Sequence, residues 1–86
     1  MDINKLISII KNKITNGISC EMVEVEDKSF LHKNHSGNDN NKFHIKLTIK
    51  SKELKEMNRI ESNKKVHKIL SNEITSSIHS LQILIQ

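Results

Sequence analysis

The sequence predicts an α+β domain in which helices cover one face of a three-stranded sheet. Two observations carry this. "KFHIKLTIK" (42–50) alternates strictly, with Phe43, Ile45, Leu47 and Ile49 on one side and Lys42, His44, Lys46, Thr48 and Lys50 on the other. That is a strand with one buried and one wet face, in an antiparallel or mixed sheet. Ile3, Leu6, Ile7, Ile10 and Ile14 recur at the spacing of a one-faced helix. Neither element can hide its apolar side alone, so helices must lie on the sheet.

The first helix is expected over roughly residues 3–15, capped by Asp2 and closed by Gly17 in the left-handed conformation. "CEMVEVED" (20–27) alternates around Val23 and Val25 and reads as a strand. Residues 28–41 hold Gly37, several asparagines and no apolar residue after Leu31, so they read as a long polar loop. Loops of more than about 12 residues inside a compact domain are usually functional or disordered. Ser51 can cap a short helical turn in "SKELKEMNR" (51–59). Ile60, Val66, Ile69, Leu70 and Ile74 then outline a second amphipathic helix, roughly 59–74. "SIHSLQILI" (77–85) closes the chain as a strand, with Leu81, Ile83 and Ile85 inward. The order is α-β-β-α(α)-β, without an internal repeat, and residues 1–86 are expected to form one domain.

The 86 residues include no tryptophan, tyrosine or proline and only two phenylalanines. The core must therefore be aliphatic, and a deep aromatic-lined substrate pocket is not expected. A net charge of +4, almost all of its cations lysine, is a mild attraction to acidic partners rather than the dense basic stripe of a dedicated nucleic-acid binder. The single Cys20 excludes an internal disulfide and any all-cysteine metal site built from this chain, which suits a reducing compartment. With no secretory apolar segment and no apolar run near the roughly 18 residues that span a bilayer, a soluble cytoplasmic protein with no membrane association is expected.

No G-x-S-x-G, H-E-x-x-H or P-loop is present, and strand alternation splits the acids of "EMVEVED" between two faces, so an enzyme is not expected. The polar loop does carry "HKNHSG", with His32 and His35 three apart. Spacing alone leaves two readings open, a ligand pair or two solvated side chains. His44 reads as solvated on the polar strand face. His79 reads as structural, its ring hydrogen-bonded to backbone at a helix–strand junction. Cys20 reads as a small buried or edge residue.

Four segments together, "VEVEDKSFLHKNHSG" (23–37), "KFHIKLTIKS" (42–51), "NRIESNKKVHKIL" (58–70) and "IHSLQILI" (78–85), resemble the BolA-like proteins in order and spacing and cover nearly the whole chain. The resemblance implies an α-β-β-α-α-β fold with a three-stranded mixed sheet, similar to a type II KH domain. It further implies partnership with a monothiol glutaredoxin, with which members share a [2Fe–2S] cluster held also by glutathione, or bind as apo-proteins, in iron–sulfur trafficking and iron and redox regulation. Some bacterial members are linked to transcription, stress and cell-shape responses. The resemblance implies a loop ligand, matched by His32 with His35 beside it. It implies a histidine in an Arg-His-Arg-like helix motif, where this chain has "SNK". Asn63 stands there, so the chain is closer to the subgroup lacking that motif. An amide oxygen is hard and neutral, a poor iron ligand. His67, one turn on, is open to two roles, substitution for that histidine or packing.

The competing class is a DNA-binding regulator. The G-X-X-G loop by which a KH domain grips nucleic acid is absent. Lys64, Lys65 and Lys68, with Lys52 and Lys55, could contact phosphates in a helix-turn-helix-like mode. The same lysines with Arg59 could instead steer an acidic face of a partner or the carboxylates of glutathione. A solvated helix face is the plain alternative. Arg59, Asn63, Lys64, Lys65, His67 and Lys68 are the candidate partner- or nucleic-acid-binding residues, and the chain alone is expected to be a monomer or weak dimer.

Overall fold

The structure is a computed structural model and describes residues 2–29 and 42–86. Its elements are α1 (Ile3–Gly17), β1 (Met22–Asp27), β2 (Phe43–Lys50), α2 (Lys52–Lys55), α3 (Arg59–Ile69), α4 (Ser71–Ser76) and β3 (Ile78–Ile85). The three strands form one mixed sheet in the order β1-β2-β3, with β1–β2 antiparallel and β2–β3 parallel. The expected α+β fold with a three-stranded mixed sheet is therefore present, with three helices rather than two between β2 and β3. The expected polar loop, with His32, His35 and Gly37, lies largely outside the described residues.

The core is aliphatic, as composition demands. Leu6, Ile10 and Ile14 of α1 pack on Ile45, Leu47 and Ile49 of β2, with Leu54, Val66 and Leu70 completing the helical side. The alternation of β2 sends its odd residues Ile45, Leu47 and Ile49 into the core as its period requires, but the even face is not wholly wet, since Thr48 in the central strand is buried as well.

Local signals set most boundaries. The Asp2 carboxylate accepts the Lys5 N–H at 2.8 Å, and the Ser51 and Asn58 side chains cap α2 and α3 in the same way. Gly17 departs from expectation. It stays inside α1 rather than closing it in the left-handed conformation, and the helix gives way at an extended Ile18. A Cβ at Gly17 would stand 3.0 Å from Ile69 Cδ1, the tip of a flexible side chain on α3. Cys20 precedes β1, which begins at Met22.

The expected single helix over 59–74 is two helices. Leu70 leaves helical geometry (φ −99°, ψ 18°), although Leu70 and Ile74 keep their i→i−4 hydrogen bonds, so the break is a bend. Beyond it α4 presents Glu73, 7% exposed, whose two carboxylate oxygens accept from Lys13 Nζ of α1 at 3.0 and 2.8 Å. Ile60, expected in the apolar stripe, is 68% exposed. The buried residues of α3 are Ser62 and Val66, and helical rotation places Ile60 away from that side.

Candidate functional site

Two places gather polar side chains with chemistry. The first is where β2 begins. The Lys28 N–H donates to the His44 carbonyl at 2.7 Å, and the His44 N–H donates to Ser29 Oγ at 3.0 Å. Both flanks of the segment carrying His32 and His35 are thus fixed at His44. In the parallel register His44 lies opposite Ser80, with an irregularity between Phe43 and His44. His44 Nδ1 and Ser80 Oγ are 2.6 Å apart, and the His44 ring lies 4.8 Å from the His79 ring, tilted by 60°.

This differs from expectation for both histidines. His44 is half-buried and hydrogen-bonded rather than simply solvated. His79 is exposed and lies against another imidazole, not hydrogen-bonded to backbone. The pair is not legible in the sequence because its partners are 35 positions apart and meet only through strand register. Neutral imidazole nitrogen is a good ligand for iron and zinc. Among the described residues no group of three or more His, Cys, Asp and Glu could hold a metal ion. The described residues therefore bring two imidazoles together and no third such group beside them.

The second place is a shallow groove between α3 and β3. Arg59, Asn63 and His67, four apart on one side of α3, form its wall, and Leu81, Ile83 and Ile85 its floor. The candidate helix residues thus divide into three groups. Arg59, Asn63 and His67 face this groove. Lys64 and Lys68 are exposed and line no part of it. Lys65 is drawn away into an ion pair with Glu53 of α2.

Glu53 also accepts the Ser19 N–H at 3.0 Å. The Lys65 hydrogen bond and then the Ser19 N–H hold its carboxyl below the usual carboxylate range. Burial, with a smaller push from Glu53, raises the Cys20 thiol above its ordinary value. The thiol is thus protonated at neutral pH, opposite to what an activated nucleophile needs.

The family model described as BolA-like protein matches residues 14–86. The chain belongs to the BolA-like family. It is 27% identical over 75 residues to the "DNA-binding transcriptional regulator BolA" of Haemophilus influenzae, covering 87% of this chain and 70% of that protein. Its fold is similar to the BolA domain of SufE1 from Arabidopsis thaliana, with a TM-score of 0.81 and 24% identity over 99% of this chain and 94% of that one. BolA1 from the same plant superposes with a TM-score of 0.77 and 24% identity, covering 93% and 88% of the two chains. At these identities the structural likenesses establish the BolA-like fold and nothing finer. No helix among the described residues is long and apolar enough to cross a membrane.

Proposed function

We propose that this BolA-like chain is an adaptor of iron–sulfur and redox metabolism. It docks a monothiol glutaredoxin and donates imidazole nitrogen to a [2Fe–2S] cluster shared with that partner and its glutathione. The observation that carries the reading is the exposed His79 ring, 4.8 Å from His44, where Lys28 and Ser29, which precede the segment bearing His32 and His35, bond to His44. His79 is the ligand that geometry favours, His32 and then His35 the one that the family resemblance adds. His44, already engaged with Ser80, orients the pair.

The donor chemistry fits such a group. Histidine in place of thiolate raises a cluster's potential, and a site with few ligands of its own suits a cluster completed across an interface. Asn63 supplies no nitrogen ligand and lies in the α3–β3 groove.

The test is reconstitution. This protein, a monothiol glutaredoxin, glutathione, iron and sulfide should together give a visible spectrum distinct from that of the glutaredoxin homodimer. His79→Ala and His32→Ala should each return it toward the homodimer form. An unchanged spectrum with no complex on a sizing column defeats the adaptor reading.

A second reading, DNA-binding regulation, has support from the name of the Haemophilus relative and from Lys64 and Lys68, exposed side by side on α3. It requires DNA affinity that falls steeply with salt. Binding that survives Lys64→Ala with Lys68→Ala would rule out this face.

A further inference from the structure

We propose that the outer edge of β3, with the groove beside it, is a docking site for an extended acidic peptide that adds as a fourth strand. The Gln86 N–H donates to the Ile49 carbonyl at 2.8 Å, and the Gln86 carbonyl accepts the Ser51 N–H at 3.2 Å. In a parallel ladder one residue turns both its N–H and its C=O to the same neighbour, and the next residue turns both away. Gln82, Leu84 and Gln86 therefore face β2, while Leu81, Ile83 and Ile85 present their donors and acceptors to the open side. No described residue pairs with that side, because β3 is the end strand of the sheet.

Edges of this kind are normally blunted by charge, proline or short length. The opposite edge strand, β1, carries Glu24, Glu26 and Asp27 in six residues. β3 runs for eight residues, "IHSLQILI", with no Asp, Glu, Lys, Arg or Pro, and its Leu84 is 42% exposed. It has none of those devices, which marks it as a surface kept open for strand addition.

The wall of the groove states the occupant's charge. Arg59 and Lys55 line it and no acidic residue does. None of the ion pairs among the described residues involves Arg59. A second copy of this chain pairing through β3 would bring two such cationic walls together, so an acidic segment is the better match. The dimensions agree. From Arg59 to His67 the helix rises about 12 Å, and from Leu81 to Ile85 the strand advances about 13 Å. Ile83–Ile85 lie beside Arg59 and Asn63, and Leu81–Ile83 beside Asn63 and His67. An added strand of about five residues spans this length. Its backbone meets Leu81, Ile83 and Ile85, a carboxylate meets Arg59, and Asn63 serves a central polar group.

This inference is independent of the metal-ligand reading, since it uses neither His79 nor His32. The experiment is an NMR titration of the whole protein with a capped peptide of about seven alternating valine and glutamate residues. Binding should shift the amides of Leu81, Ile83 and Ile85 and slow their exchange with solvent. Arg59→Glu should weaken it by about tenfold or more, with the amide spectrum of the free variant confirming its fold. The same peptide N-methylated at alternate amides should not bind, because it lacks the backbone donors. The proposal is overturned if the N-methylated peptide binds equally well or if a lysine-for-glutamate peptide binds better. It is equally overturned if the shifts avoid β3, if only a short single-stranded DNA binds, or if the edge is occupied by a second copy on a sizing column.

Discussion

At the scale of single residues, burial and partners decide what each group can do. Leu47 is fully buried in the central strand, between α1 and both neighbouring strands. Leu47→Ala should cost about 2–5 kcal/mol, measured by urea denaturation, because it removes buried methyl groups and leaves a cavity in the packed core. Cys20 gives a chemical prediction. Its raised pKa lowers the thiolate fraction at any given pH, so alkylation at pH 8 should run slower than for a free cysteine peptide. Glu53→Gln removes one cause of that rise and should speed the reaction. Glu53 also carries a pH dependence. Its folded pKa is depressed, so its contribution to stability is present above the unfolded carboxylate range and is lost as pH falls through the folded value. The acid limb of a stability–pH curve should therefore flatten in Glu53→Gln.

At the scale of elements, the helices are held by a few polar clamps as well as the aliphatic core. Lys13 ties α1 to α4 through a carboxylate that is almost wholly buried. Lys13→Met leaves Glu73 without its partner and should destabilise by about 1–3 kcal/mol, whereas changing both residues to apolar ones should recover much of the loss. Thermal unfolding of the two single variants and the double variant checks this. Ser51 makes two contacts, accepting the Leu54 N–H at 3.2 Å and donating to the Ser19 carbonyl at 2.7 Å. Ser51→Ala loses both a helix cap and the link to Ser19, between α1 and β1, a cost of about 1–2 kcal/mol. The caps at Asp2 and Ser51 were legible because capping is local: the side chain reaches a backbone N–H three residues on. The bend at Leu70 was not. Neither proline nor glycine marks it, and the residues 59–74 keep an apolar spacing that one straight helix would satisfy.

At the scale of the whole molecule, the parallel pairing of β3 with β2 gives the sheet one guarded and one open edge. It should show in hydrogen exchange. The amides of Gln82, Leu84 and Gln86, bonded into the sheet, should exchange more slowly than those of Leu81, Ile83 and Ile85 in the same strand. An even protection profile along β3 would mean that the outer edge is already paired. The same register brings His44 to Ser80 and His79, while the packing of α3 beside β3 sets Arg59, Asn63 and His67 along the groove.

The sequence alone determined the aliphatic core, the alternation of β2, the helical period of α1 and the order of the three strands. Each depends on residues within a few positions of one another, where backbone geometry fixes the period. Four separated segments also made the family resemblance visible. Only the tertiary structure decided that Lys65 belongs to Glu53, that Ile60 faces water, and that His79 lies against His44. Those outcomes depend on the register of strands and the rotation of helices about their axes. Both are settled by packing between residues far apart in the chain, where sequence spacing carries no distance.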